Sequence, residues 1–285
     1  MIKDVFNAIG SATRRLFQNW RALLILLVLY LAMLGSVYLF FSTREATVAQ
    51  LLLTLALGIV APVLWLVIQT MAVRYAGEDR AGKLLARSLG DFWKLAIIVL
   101  PLVFLIGLAV YYLGSIELKS VQETVRSVAA PRRVASRMTS VRSTPWQAVA
   151  LSTLQYLLLG LVLPLASIHL WIEAAQTGLK NAFKTAGRTI AHAFAPRSVL
   201  TYAIGFVVFA IIPYFLVTQR TPVTRPWLDV SLLGARLALA VLLSLIGWVV
   251  TVAALTKLAT SKTANAQQTD ASHFNQGPEH VPAES

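Results

Sequence analysis

The sequence predicts an all-α membrane protein with six transmembrane helices, and three observations predict it. Residues with apolar side chains fill 57% of the 285 positions. Charged residues fill only 13%, about half the share found in ordinary water-soluble domains. The apolar residues are also gathered into six stretches, 22–41, 48–73, 95–116, 148–172, 199–219 and 230–255, each as long as the roughly 20 residues that cross a hydrocarbon core. Backbone groups in lipid must be bonded inside their own segment, which leaves helices or a closed barrel. A barrel would alternate over strands of about ten residues; these runs are continuous and rich in Leu.

Residues 1–21 read as an amphipathic interfacial helix. Val5, Ile9, Ala12, Leu16 and Trp20 share one face at helical period, and Asn7, Arg14, Gln18 and Arg21 share another. Such helices lie in the membrane plane with cations toward the headgroups. The run that follows is longer than the 7–15 residues usual for a signal-peptide core, so it is expected to be retained. Between the third and fourth spans, Ile116, Leu118, Val121, Val125 and Val128 have helical spacing that stops at Pro131. This predicts a short surface helix, then a basic loop, open to anionic headgroups or a partner. Residues 259–285 lack an apolar pattern and are expected to form a disordered tail.

Lys and Arg set the orientation. One face collects Lys3, Arg14, Arg15 and Arg21, then Arg74, Arg80, Lys83, Arg87 and Lys94, then Lys180, Lys184, Arg188 and Arg197, and finally Lys257 and Lys262. The other carries Arg44, the basic third connection, Arg220 and Arg225. The bias puts both termini in the cytoplasm of a cell whose inner, or plasma, membrane holds the chain. The net charge of +13 then marks membrane-facing connections. The basic residues are spread without a nucleic-acid-binding fold, so no nucleic acid partner is expected.

The connections carry a threefold repeat. Arg14, Leu16, Trp20 and Arg21 precede the first span; Arg87, Leu89, Trp93 and Lys94 precede the third at identical spacing. Arg188, Ile190 and Phe194 precede the fifth, with Arg197 shortly after. Gly58 and Pro62 in the second span match Gly160 and Pro164 in the fourth, and Pro–Trp pairs (Pro145–Trp146, Pro226–Trp227) introduce the fourth and sixth. Three parallel hairpins follow, each led by an amphipathic interfacial helix. Over about residues 5 to 258 this pattern resembles the membrane domain that, in poorly characterised prokaryotic proteins, stands next to a glycerophosphodiester phosphodiesterase domain. The resemblance implies that catalysis belongs to the attached soluble domain, and it transfers no functional residue to this chain.

Candidate sites are few. Arg14, Trp20, Arg21, Arg87, Trp93, Lys94, Arg188 and Arg197 are the expected headgroup and interface anchors. Polar residues within the spans are costly and so become functional candidates: Gln69, Gln155, Arg236, and the pair His169 and Glu173, four apart on one helical face. Cysteine is absent, which excludes thiolate metal sites and thiol nucleophiles. There is no phosphate loop, nucleophile elbow or zinc motif, so neither an enzyme nor a cofactor is expected. The expected function is a non-catalytic, lipid-interacting or scaffold component of the membrane, whose partners are anionic lipids and an unidentified membrane protein. The alternative is a transporter with a substrate site between the repeats, near Pro62, Pro101, Pro164 and Pro213.

Overall fold

A computed structural model describes residues 2–43, 47–75, 77, 80–129, 146–219 and 225–275. All regular structure among them is helical. In chain order the helices are α1 (Ile2–Gln18), α2 (Trp20–Ser42), α3 (Val48–Arg74), α4 (Ala81–Ala129), α5 (Trp146–Leu157), α6 (Leu163–Thr177), α7 (Leu179–Lys184), α8 (Ala186–Ala193), α9 (Pro196–Phe206), α10 (Ile212–Thr218) and α11 (Pro226–Asn275). Six helical stretches are long and apolar enough to cross a membrane: Trp20–Ser42, Val48–Arg74, Ala81–Ser115, Val149–Thr177, Pro196–Thr218 and Trp227–Thr260. They match the six runs expected from hydropathy, and the chain is a multi-pass membrane protein.

Local chemistry sets several boundaries. Thr47 caps α3, its hydroxyl oxygen accepting from the Gln50 amide at 3.3 Å, which satisfies one of the orphan donors of the first turn. Pro196 opens α9 at a position where its missing N–H costs nothing. Gly178, at φ +86°, turns the chain between α6 and α7 in a conformation that side chains strain to adopt.

Two single π turns interrupt the fourth and fifth spans, at Leu158–Val162 and Val207–Ile211. Each ends two residues before a proline, Pro164 and Pro213. A proline ring collides with the carbonyl four residues back, and a π turn opens the ladder at that carbonyl. These two prolines therefore have a visible backbone cost; Pro62 and Pro101 sit inside uninterrupted α-helix.

Three elements differ from expectation. Helix α4 runs unbroken from the segment ahead of the third span to Ala129, so residues 116–129 continue that helix and form no separate surface helix. The stretch offers no Pro except Pro101 until Pro131, and the helix ends two residues before that proline. The basic remainder of this connection, 130–145, lies outside the described residues. The segment ahead of the fifth span divides into α7 and α8 at Thr185. Finally, α11 continues to Asn275 through the stretch expected to be disordered. Ala264, Ala266, Gln267 and Gln268 favour helix, and the first strong stop signal in the sequence is Gly277–Pro278. Residues 276–285 lie outside the described residues.

The chain divides into two compact units, residues 1–95 with 169–285, and residues 96–168. In the second, Gly114 stands against Gln155, whose Nε2 would lie 3.6 Å from a Cβ at that glycine. The first is organised around α11, which packs against α1, α2, α3, α9 and α10. Half of its spanning window, 50%, is buried, against 6–17% for the other five spans. Those five expose large apolar side chains such as Leu24, Val28, Leu55 and Phe215, a surface that suits hydrocarbon and is unsuited to water.

Close helix contact inside this unit depends on glycine. A Cβ at Gly205 of α9 would overlap Oγ1, Cγ2 and Cβ of Thr251 on α11. One at Gly247 would meet Phe209 Cβ and Val208 Cγ1 at 3.0 Å. Helices in lipid associate through such packing, since lipid tails remove the hydrophobic drive. An aromatic group of Tyr202, Phe206, Phe209 and Trp248 fills the same seam, with Phe209 and Trp248 edge-to-face at 5.1 Å.

Candidate functional site

The site begins with the docking of α1. Val5, Ala8, Ala12 and Leu16 are buried along one side, packed on α11 and α9. Burying a side chain such as Val or Leu stabilises by about 1.5–3 kcal/mol, so this stripe dominates the docking. The exposed ion pair of Asp4 with Arg197, at 3.5 Å, adds about 0–1 kcal/mol. Of the face expected from sequence, Val5, Ala12 and Leu16 are buried and Ile9 is half-buried, but Trp20 is exposed. A second apolar strip, Ile2, Phe6 and Phe17, lies about a quarter turn round the helix and is exposed.

Tyr75 secures the end of α1. It follows α3 directly, is 2% exposed, and its hydroxyl donates toward the carbonyl oxygens of Leu16 at 3.0 Å and Asn19 at 2.9 Å. These acceptors stand at the break between α1 and α2. Burial pushes the hydroxyl up to about 12 against the opposing field of the Arg15 guanidinium. It therefore remains a donor at every physiological pH.

With α1 in place, a cavity of about 610 Å³ opens at one end of the first unit. Four elements bring cations to it: Arg15 from α1, Arg74 from α3, Arg87 from α4 and Lys257 from α11. Each stands at the same end of its span or just ahead of it. Ser11, Tyr75, Gln176, Thr256 and Thr260 add neutral polar groups, and no described residue lining the cavity is a carboxylate. Lys257 Nζ donates to Ser11 Oγ at 2.8 Å. A smaller adjoining cavity of about 130 Å³ shares Arg74 and is also lined by Thr70, Asp91 and Lys94. There Asp91 pairs with both Arg74 and Lys94. Arg74 Nε is buried without a hydrogen-bond partner, a donor left over after the Asp91 pairing. Guanidinium forks and an ammonium converging with hydroxyls suit an anion with several acceptor oxygens.

The expected anchors meet different fates. Arg87 joins the cavity. Lys94 is drawn to Asp91, and Arg197 to Asp4. Arg14, Trp20, Arg21, Trp93 and Arg188 are exposed. Arg21 stands 6.0 Å from the Trp20 ring centre and Lys94 5.9 Å from that of Trp93, cation–π distances reproduced at both sites.

The polar candidates within the spans are mostly satisfied internally. Gln69 is buried, and its Oε1 accepts from Trp248 Nε1 at 2.6 Å. His169 is buried with Nε2 3.3 Å from Ser198 Oγ. Glu173 receives the Thr177 hydroxyl at 3.4 Å, and Arg236 donates to the Gln219 carbonyl at 2.7 Å, closing the end of α10. Gln155 is half-buried against Gly114. Among the described residues no group of three or more His, Cys, Asp or Glu could hold a metal ion.

Sequence reasoning had placed Arg15, Arg74 and Lys257 only as cations of one face; Ser11 and Tyr75 it had not singled out. The available signal was that each of these cations stands beside a span end on that face. Comparison with protein-family models, curated proteins and solved structures finds no match to this chain, so the resemblance drawn above rests on the repeat motif alone.

Proposed function

We propose that this chain is a non-catalytic protein of the cell's inner, or plasma, membrane that engages anionic lipids at the end of the bundle where both termini lie. In this reading the six spans are three parallel hairpins, each led by an interfacial segment. The recurrence of Trp20 with Arg21 and Trp93 with Lys94, each ring exposed at the start of a span beside a cation, carries the proposal. Amphipathic aromatic rings sit at headgroup depth, and each nearby cation adds about 1 kcal/mol of attraction to an anionic surface. The exposed strip Ile2, Phe6 and Phe17 supports it, since α1 keeps apolar side chains for lipid after docking on the bundle.

Native mass spectrometry of the protein extracted in a mild neutral detergent tests this reading. Anionic lipids are expected to be retained at several times their share of the source membrane, and the triple variant Arg14→Gln, Arg21→Gln, Arg188→Gln to lose the enrichment. A retained-lipid profile equal to that of the membrane, in both proteins, contradicts it.

A transporter is the second reading, favoured by the cavity of about 290 Å³ that Tyr30, Gln69, Ser244 and Trp248 line within the first unit. Its remaining walls are Met33, Trp65, Ile68, Phe209 and Leu245, and Gln69 is already bonded to Trp248. Uptake by sealed proteoliposomes that is abolished by Gln69→Leu would raise this reading above the first.

A further inference from the structure

We infer that the cavity bounded by Arg15, Arg74, Arg87 and Lys257 is a discrete binding site for a phosphate-bearing anion, whose source is the headgroup of an anionic lipid. The inference deepens the reading above and rests on it for the lipid source, but the phosphate chemistry stands on separate residues. Three observations carry it. The first is charge: three guanidinium side chains and one ammonium come together from four helices, and no carboxylate lines the cavity among the described residues. The second is an unused donor: Asp91 engages Arg74 through its terminal nitrogen, leaving Nε buried and unpartnered. A buried donor without an acceptor is costly, and an oxyanion seated beside Arg74 would relieve it. The third is size. About 610 Å³ falls within the range of sites that enclose small ligands, so a phosphate fits together with its substituent.

The site also depends on α1. Arg15 and Ser11 reach the cavity only because Val5, Ala8, Ala12 and Leu16 are docked and Tyr75 holds the turn. A bound anion bridging Arg15 to Arg87 and Lys257 would tie α1 to the bundle, so occupancy should stabilise α1 selectively.

The test uses the full chain in neutral detergent with three probes: dioctanoyl phosphatidate, glycerol 3-phosphate, and dioctanoyl phosphatidylcholine as the zwitterionic control. Binding is read from the unfolding midpoint and from protection of α1 against hydrogen exchange. Phosphatidate is expected to raise the midpoint saturably and protect α1, and phosphatidylcholine to do neither. Replacing one cation removes a charge-assisted hydrogen bond, about tenfold in affinity. Arg87→Gln and Lys257→Gln should therefore each weaken phosphatidate about tenfold, Lys257→Arg should retain it, and Arg225→Gln, at the other end of α11, should leave it unchanged. No saturable effect of any phosphate probe, or equal binding by the cavity variants, overturns the site. Binding of glycerol 3-phosphate as tight as that of phosphatidate overturns the lipid as its source.

Glu78 and Asp79 follow Gly77, which lines the cavity, and lie outside the described residues. If binding appears only in the variant Glu78→Gln, Asp79→Asn, those carboxylates fill the site in the native chain and the inference fails. The anchor variant Arg14→Gln, Arg21→Gln separates the two proposals. It should lower general lipid enrichment while leaving saturable phosphatidate binding intact, so either proposal can fail without the other.

Discussion

At the scale of single residues, Tyr75 shows how a position with no motif can govern a site. Its hydroxyl serves two carbonyls at the break between α1 and α2, and its ring is enclosed. Tyr75→Phe keeps the ring and removes the hydroxyl that Leu16 and Asn19 share, while the Asn19 carbonyl keeps the Ala22 and Leu23 amides at 3.0 and 3.2 Å. Losing an intramolecular hydrogen bond costs about 0.5–1.5 kcal/mol, and the loss should fall on α1. Hydrogen exchange should show α1 opening more readily than α11, at a lower unfolding midpoint. An unchanged exchange rate in α1 would mean that the apolar stripe alone holds the helix. Nothing in the sequence announced this residue, because its partners are main-chain atoms 56 and 59 positions away. Lys94 and Arg197 illustrate the converse. Their charge was legible, but not what becomes of it: Asp91, three residues before Lys94 on the same helix, also takes Arg74 from α3, and Arg197 meets Asp4 of α1, contacts between helices that the local pattern does not reveal.

At the scale of elements, the spans were legible because lipid imposes length and hydropathy on a segment regardless of its neighbours. Segment ends on the water side were less so. The continuous α4, the division of α7 from α8, and the extension of α11 are all departures outside the apolar runs, where propensity and tertiary contact compete. The π turns also escaped sequence reading, because Pro62 and Pro101 look no different from Pro164 and Pro213. Helix packing offers the sharpest element-scale prediction. Gly205→Ala would gain about 1 kcal/mol of helix propensity, but its Cβ would overlap three atoms of Thr251 that no rotation can clear together. Overpacking of this kind typically costs about 1–3 kcal/mol, so the variant should unfold at a lower temperature, and Thr251→Gly should restore part of the loss. Gly35→Ala on α2, where nothing stands within 4 Å of the new Cβ, serves as the control and should be neutral or slightly stabilising. Equal behaviour of the two alanine variants would deny the α9–α11 contact.

At the scale of the whole molecule, the even number of spans puts the two ends of the spanning region on one side of the membrane. The contact of Lys257 with Ser11 brings those same ends together by an independent route. Which side they face is a question of charge. Arg15, Arg74, Arg87 and Lys257 surround the cavity at this end, and Lys180, Lys184 and Arg188 are exposed in the connection that follows the fourth span, whereas Arg225 lies at the opposite end of α11. Cytoplasmic connections collect Lys and Arg, so the cavity should open to the cytoplasm, where anionic lipid and soluble phosphate compounds are both at hand. The absence of cysteine allows a direct measurement, because any thiol introduced is the only one. Lys180→Cys and Arg225→Cys both replace exposed side chains and should fold normally. With a membrane-impermeant maleimide on intact cells, Arg225→Cys should label at once and Lys180→Cys only after the membrane is opened. The reverse pattern would turn the molecule over. The cavity would then face outward, and the charge bias would have misled on orientation while leaving the phosphate chemistry of the site untouched.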